Sequence, residues 1–425
     1  MSPKTPESHE HGFREVFAPP DSLPAGWRTP GRGARLPGFV SMRADPETTL
    51  SSLRVSVVGA GAVGRNALHH LARLAPEQLW IVDRGRFKAQ SLLTQPILPR
   101  DIPRVKATNA GEHCKTISPG TRVFVHDGPV EELPIAAFSQ ADAVLLATDN
   151  LAAEVEVGAR CTHLAKPLVH AAVHGETLTA QVHTYANRDG SGPCPACGFG
   201  ESEWQHLNRE TSFSCEGLAA GRPAPQSHGP ATVSTSFLCS LAADLALVQL
   251  LRLTLGLGQD VADTFLEYCG FTHRTVITPL VRNPHCRCEH AAWKIAKASA
   301  PLRQLTLRDL AREAGCRDEE LATASFSVDE IPYVEAAVCP TGHIHTIRRF
   351  LALASDAGEC PTCGAMLRPH PFYAHRPVPA RIARPQLDRP LGELTSAPPR
   401  AVIVRAQGGE TLILANGTAE QGNPT

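Results

Sequence analysis

The segment Leu53-Arg-Val-Ser-Val-Val-Gly-Ala-Gly-Ala-Val-Gly64 constrains this chain more than any other. A β-branched apolar run ends on glycines spaced G-x-G-x-x-G, and an amphipathic stretch, AVGRNALHHLARLA, follows at once. Strand, tight turn and helix in that order begin a doubly wound α/β layer. Gly59 permits the turn, Gly61 lets a phosphate approach the backbone, and Gly64 lets the helix pack close to the strand. The helix N-terminus then offers free N–H groups and the positive end of its dipole to an anion. Asp83 closes the second strand, QLWIVD, about twenty residues on, where a carboxylate bonds ribose hydroxyls. The glycines alone suit ATP, NAD and FAD equally.

The same texture continues downstream. TRVFVHDG, DAVLLATD and PLVHAAVHG are near-continuous apolar strands separated by helix-sized segments. That pattern predicts an α/β fold with a Rossmann-like, mostly parallel sheet and helices on both faces. LTAQVHTY leads into an irregular, cysteine-bearing stretch over 193–230. The apolar run over 231–257 is interrupted by Asp244, Gln249 and Arg252, and reads as a buried core helix rather than a membrane span. Beyond residue 302 come two helical segments, a cysteine-rich ribbon and a Pro/Arg-rich connector, HRPVPARIARPQLDRP. PRAVIVRA and GGETLILANG then read as a hairpin about a Gly-Gly turn. The expected organisation is an irregular arm over 1–50, a main domain over 51–300, a helical and zinc-ribbon module over 301–375, and a linker with C-terminal hairpin over 376–425.

Hydrophobic content of 42%, charged content of 20% and a net charge of −1 describe a soluble globular chain with no global drive toward nucleic acid or anionic membranes. The first fifty residues are polar and rich in Pro and Gly, unlike a signal peptide, so the expected location is cytoplasmic. Thirteen cysteines, an odd number, argue against a disulfide framework and toward metal ligation and a reactive thiol.

Two residues bear on which nucleotide binds. Lys106 opens a helix after DIPRV, and Asp149 ends the strand AVLLATD. Both belong at the C-terminal edge of the sheet, over the glycine loop, where open parallel sheets bind ligands. Transfer of an adenylyl group needs a cation beside the phosphates and a carboxylate that can hold Mg²⁺. Taken singly, Lys106 reads as a surface lysine and Asp149 as a helix N-cap.

Cys194-Pro-Ala-Cys197 is a knuckle whose two thiolates can face one tetrahedral metal. Cys286-Arg-Cys288 is the best local supply of two further ligands. Cys360-Pro-Thr-Cys363 is a second knuckle, which Cys339 with His343 or His345 would complete as a separate zinc ribbon. The alternative pairs Cys194 and Cys197 with Cys360 and Cys363. A redox role is disfavoured, because neither knuckle opens a helix in the thioredoxin manner. Cys114, Cys161, Cys239, Cys269 and Cys316 read as incidental or buried thiols. His170 and His174 flank a strand end near the proposed site and read as structural.

Taken in order, GAGAVG, IVD, SLLTQ, DIPRVKA and ATDN resemble the ThiF/MoeB/ubiquitin-activating superfamily over roughly residues 50–290. The resemblance implies ATP and Mg²⁺ as cofactors, with Asp83 on the ribose, Lys106 on the phosphates and Asp149 on Mg²⁺. Gln95 and Asn150 fall at matching positions and join the nucleotide set. A structural Zn²⁺ on the first knuckle and a homodimer are implied too. So is Cys215, alone in TSFSCEGLAAG, as the thiol that accepts the activated carboxyl as a thioester. The substrate implied is a ubiquitin-like or sulfur-carrier protein with a glycine tail, adenylated at its C-terminus, with a conjugating enzyme as a further partner. The chain also departs from the family. Ser91 replaces its asparagine, Thr94 its phosphate-binding arginine, and Gly85 a second acid. Arg65, Arg84, Arg86 or Arg104 are nearby substitutes, and Arg35 matches an arginine supplied across the dimer. The rival readings are an NAD- or FAD-dependent oxidoreductase and a nucleotide-binding scaffold without catalysis.

Overall fold

The computed structural model describes residues 9–10, 12–17, 50–211 and 234–416. Cys215 and Arg35 therefore lie outside the described residues. The chain divides into two units, Met1–Ala292 and Trp293–Thr425.

The first unit is built on one mixed sheet. Its strands are β1 (His9–Glu10), β2 (Phe13–Val16), β3 (Arg54–Val58), β4 (Gln78–Val82), β5 (Arg122–His126), β6 (Ala143–Leu146), β7 (Leu168–His174), β8 (Thr179–Tyr185), β9 (Thr264–Cys269) and β10 (Arg274–Pro279). They lie in the order β1-β2-β5-β4-β3-β6-β7-β8-β9-β10. From β5 to β7 the pairing is parallel, with Val55 opposite Leu79 and Val57 opposite Leu145. Every residue of β4 and β6 is buried, as both-face coverage by helices requires. Antiparallel strands extend both sides, so the sheet is less uniformly parallel than the apolar runs imply.

The helices are α1 (Ala62–Arg73), the single turn α2 (Ser91–Thr94), α3 (Lys106–Ile117), α4 (Leu151–His163), α5 (Glu201–Thr211) and α6 (Ser236–Leu255). The order steps from β3 to β4 and β5 on one side, and from β3 to β6 and β7 on the other. Right-handed crossovers put α1 and α3 on one face and α4 on the opposite face. The strand order therefore reverses between β3 and β6.

By length and composition α6 is apolar enough to cross a membrane, yet Leu238, Cys239, Ala242, Ala246 and Leu250 are buried in the core with Leu68, Leu71, Val169 and Val182. It is the core helix expected from the sequence. Gly256 ends it at φ +61°, a left-handed cap that glycine adopts without strain.

The irregular arm expected over 1–50 needs correcting at β2. Phe13 is 1% exposed, and β2 adds to β5 with Arg14 opposite Val125. Four residues, FREV, are too few to announce a strand by periodicity; β5 recruits them.

The second unit begins at Trp293 rather than near 300. Its strands β11 (Lys294–Lys297), β12 (Ser325–Val328), β17 (Val378–Pro379), β18 (Ala401–Ala406) and β19 (Gly409–Leu414) form a sheet in the order β11-β19-β18-β12-β17. The Gly-Gly hairpin expected at the C-terminus is β18–β19, and it lies inside this sheet. The Pro/Arg-rich stretch is not a free connector. Val378, Ala380, Ala383 and Leu387 are buried in a core with Leu307, Phe326, Val402 and Ile413. Small apolar residues interleaved with Pro and Arg carry no clear period, which hides their burial in the sequence. A smaller sheet is built on β13 (Tyr333–Val338), paired with β14 (Ile344–Phe350), β15 (Arg368–Pro369) and β16 (Ala374–His375).

Candidate nucleotide site and metal centres

At the reversal between β3 and β6 lies a cleft of about 610 Å³. Gly59, Gly61, Asp83, Lys106, Asp149 and Asn150 all line it, together with Arg84 and His206. Each arrives by local rules. Gly59 turns the chain off β3 at φ +97°, and a β-carbon there would lie 2.4 Å from the Ala147 carbonyl oxygen. At Gly64 a β-carbon would lie 1.8 Å from the Gly59 carbonyl oxygen, so glycine alone lets α1 start this close to β3. Gly61 is different: a β-carbon there meets nothing within 4 Å. Space is left above the second glycine, and the amino end of α1 opens into it.

Asp83 ends β4 and braces the loop. Its Oδ2 accepts the Ala60 N–H at 2.8 Å and its Oδ1 accepts the Gly85 N–H at 2.6 Å. Lys106 opens α3, its backbone N–H donating to the Gly85 carbonyl at 2.9 Å. A β-carbon at Gly85 would lie 2.9 Å from Asp83 Oδ1 and 3.4 Å from Lys106 Cδ and Cε. The glycine standing where the family has an acid thus gives the lysine stem its path. Across the cleft, Asp149 follows β6, and Asn150 caps α4 with its Oδ1 accepting the Ala153 N–H at 3.1 Å.

Gln95 is not among the residues lining the cleft. It ends α2, and its side-chain oxygen is buried without a hydrogen-bond partner among the described residues. The nearby arginines also separate. Arg65 is 5% exposed, donates from Nε to the Pro96 carbonyl at 3.2 Å and lies over the Phe87 ring. Arg86 donates to the Pro103 carbonyl, and Arg104 pairs with Glu112. Of these four, Arg84 is the one that lines the cleft.

One cleft residue and one neighbour of the cleft escape sequence reading. His206 enters from α5, with no motif around it. Glu154, in the first turn of α4, is pushed up to about 7 by burial, reinforced by nearby Asp149. Its Oε1 lies 3.8 Å from His170 Nε2, beyond hydrogen-bond reach. Burial pushes His170 down to about 3, so it is a neutral core histidine, bonded to the Thr148 backbone.

Six cysteines and two histidines gather in two groups, each within one unit. Cys194 Sγ lies 3.9 Å from Cys197 Sγ and 3.8 Å from Cys286 Sγ, and Cys197 Sγ lies 3.5 Å from His290 Nε2. The edges of a zinc tetrahedron are about 3.8 Å between sulfurs and about 3.5 Å from sulfur to nitrogen, given Zn–S near 2.3 Å and Zn–N near 2.0–2.1 Å. The group within reach of one ion is Cys194, Cys197, Cys286 and His290, so His290 rather than the expected Cys288 has the geometry of a fourth ligand. Cys288, two residues from Cys286, remains in contact with the Cys194 thiol as a neighbour. The C-x₃-H spacing of Cys286 and His290 holds no familiar motif by itself. His290 Nδ1 pairs with the Gly192 carbonyl at 2.9 Å, which leaves Nε2 free to ligate. In the second unit, Cys339, His343, Cys360 and Cys363 converge likewise.

The model of the ThiF family matches residues 35–290. The chain belongs to the ThiF family. Among curated proteins, this ThiF-family chain is similar to the molybdopterin-synthase adenylyltransferase of Escherichia coli (strain K12), 24% identical over 244 residues, covering 57% of this chain and 89% of that protein. It is also similar to the adenylyltransferase and sulfurtransferase MOCS3 of Arabidopsis thaliana, 32% identical over 171 residues, covering 39% of this chain and 34% of that protein. The chain therefore spans about a third of that longer relative. Among solved structures, E. coli MccB is similar with a TM-score of 0.43 and 14% identity, covering 56% of this chain and 65% of MccB. The E1-like adenylyltransferase class expected from the sequence agrees with the names of these curated relatives.

Proposed function

We propose that the cleft binds ATP and adenylates the C-terminal carboxylate of a ubiquitin-like or sulfur-carrier protein that ends in glycine. One observation carries the reading: the glycine loop, Lys106 and Asp149 open onto the same cleft at the reversal of strand order. The α1 amino end and the Lys106 ammonium supply positive charge to the phosphates. Arg84 stands in for the arginine missing at Thr94. Asp149 is the carboxylate that would hold Mg²⁺, which neutralises phosphate charge when bound. A carboxylate oxygen of the tail attacks the α-phosphorus, the bond from that phosphorus to the α–β bridging oxygen breaks, and pyrophosphate leaves with the bonding pair.

Cys215 is proposed as the acceptor of the acyl group; it belongs to the segment 212–233, outside the described residues. Cys194, Cys197, Cys286 and His290 are proposed to hold a structural Zn²⁺ with no open position. A homodimer and a downstream conjugating enzyme are proposed on the family's pattern.

The test is ATP–pyrophosphate exchange stimulated by glycine-tailed carrier proteins. Lys106→Ala and Asp149→Ala are each expected to lower exchange by about 10²–10³-fold, the usual effect of removing one electrostatic contact to a transition state. Exchange that survives both substitutions, or an absorbance change with a nicotinamide in place of exchange, overturns the proposal.

A further inference from the structure

The second unit lies wholly beyond the ThiF match, which ends at residue 290. Inside it, the small sheet on β13 has a problem of stability. Its core is the cluster Val334, Ala337, Cys339, Leu351, Ala357, Cys360 and Leu367, seven buried residues, against twenty-two in the neighbouring cluster of the same unit. Tyr333 and Phe350 anchor one end of the β13–β14 pair in the larger cluster, while the turns at the other end rest on these seven, few enough to call for a staple. Two of the seven are cysteines, 3% and 2% exposed, and both are free thiols.

The chain brings four ligands to one point. Cys339 and His343 bracket the turn between β13 and β14, where Gly342 sits at φ +90° and the Cys339 N–H donates to the His343 carbonyl. Cys360 and Cys363 bracket a second tight turn, closed by the Gly364 N–H on the Cys360 carbonyl. His343 Nδ1 lies 3.5 Å from Cys339 Sγ and 3.6 Å from Cys360 Sγ, and Cys363 Sγ lies 3.7 Å from Cys339 Sγ. These are again the edges of a tetrahedron with zinc–ligand distances of about 2.3 Å to sulfur and about 2.0–2.1 Å to nitrogen.

We infer that this group is a second, closed Zn²⁺ site whose ligands are Cys339, His343, Cys360 and Cys363, and that the metal supplies the core this lobe lacks. The geometry also separates the two histidines of CPTGHIH. His345 Nε2 lies 3.2 Å from Cys360 Sγ, where the Nε2–H tautomer donates to a ligand thiolate. It joins the His343 backbone N–H, 3.3 Å from Cys339 Sγ, and the Thr341 hydroxyl, 2.9 Å and 3.2 Å from Cys339 and Cys363 Sγ. Three thiolates and one neutral imidazole leave the site with a net negative charge, which such donors offset. Three sulfurs and a nitrogen in a tetrahedron suit zinc over the harder divalent ions, and four protein ligands leave no position for substrate.

Metal analysis of the full-length protein tests this independently of the adenylation reading. Purified chain is expected to hold about two Zn²⁺, and the Cys194→Ser/Cys197→Ser variant to keep one of them. Cys360→Ser/Cys363→Ser removes two buried or turn-closing thiols at once, so the ligand assignment is read from Co²⁺ spectra of two milder variants. His343→Cys is expected to keep the metal and shift the bands toward a four-sulfur site; His345→Ala is expected to keep the metal with the bands nearly unmoved. Loss of all zinc from Cys194→Ser/Cys197→Ser, or a disulfide between Cys339 and Cys363 in the protein as isolated, overturns the inference. Bands that move with His345→Ala and not with His343→Cys overturn the ligand assignment.

Discussion

The three glycines of the loop are not equivalent, and their differences predict different mutant behaviour. At Gly64 a methyl group collides with backbone, the Gly59 carbonyl oxygen at 1.8 Å, which no rotamer relieves. Gly64→Ala is expected to cost about 3 kcal/mol of stability, at the upper end for overpacking, as read by urea unfolding. Gly61→Ala adds a methyl group to open space. It is expected to change stability by less than about 0.5 kcal/mol while weakening ATP binding at least about tenfold, measured by calorimetry. Glu154 makes a pH-dependent contribution. Its folded carboxyl sits at about 7 against an ordinary 4.5. Below pH 4.5 both states hold the proton and nothing is lost; as pH rises toward 7 the unfolded chain releases it first and stability falls. The loss, of order 3 kcal/mol for such a shift, is complete above pH 7. Glu154→Gln is therefore expected to equal the parent at pH 4 and exceed it at pH 8 in nucleotide-free urea titrations.

Among the elements, β2 and α4 do more than their lengths suggest. β2 covers the edge of β5, burying Phe13 against the His126 ring at a centroid distance of 6.1 Å. Phe13→Ala is expected to cost about 3–5 kcal/mol, as for other large core truncations, measured by the urea midpoint. α4 connects two centres. Its capped end presents Asp149 and Asn150 to the cleft, and farther along, Gly158 receives Pro195 of the first knuckle so closely that a β-carbon would lie 2.7 Å from Pro195 Cδ. The knuckle thereby rests on the helix that orients one wall of the cleft.

At the scale of the whole molecule, two units with separate cores should not melt as one cooperative block. Calorimetry is expected to resolve two transitions. ATP at about a hundredfold its dissociation constant should stabilise the unit holding the cleft by about 2.7 kcal/mol and leave the other unmoved. A single transition that shifts as a whole with ATP would show the units to be thermodynamically one.

The residues alone determined what depends on near neighbours: the glycine turn after β3, the apolar strands of the central sheet, the core helix α6, and both Cys-x-x-Cys knuckles. Steric limits and side-chain periodicity act over a few positions, so a sequence displays them directly. Tertiary structure decided what depends on distance in space. It brought His290 rather than Cys288 into the group with Cys194, more than ninety residues away. It kept Arg84 in the cleft while burying Arg65 beside Phe87, left Gln95 outside the lining, and drew the Pro/Arg-rich stretch into a core. Which of several chemically suitable side chains reaches a site is set by the packing of whole elements, and no local pattern encodes that choice.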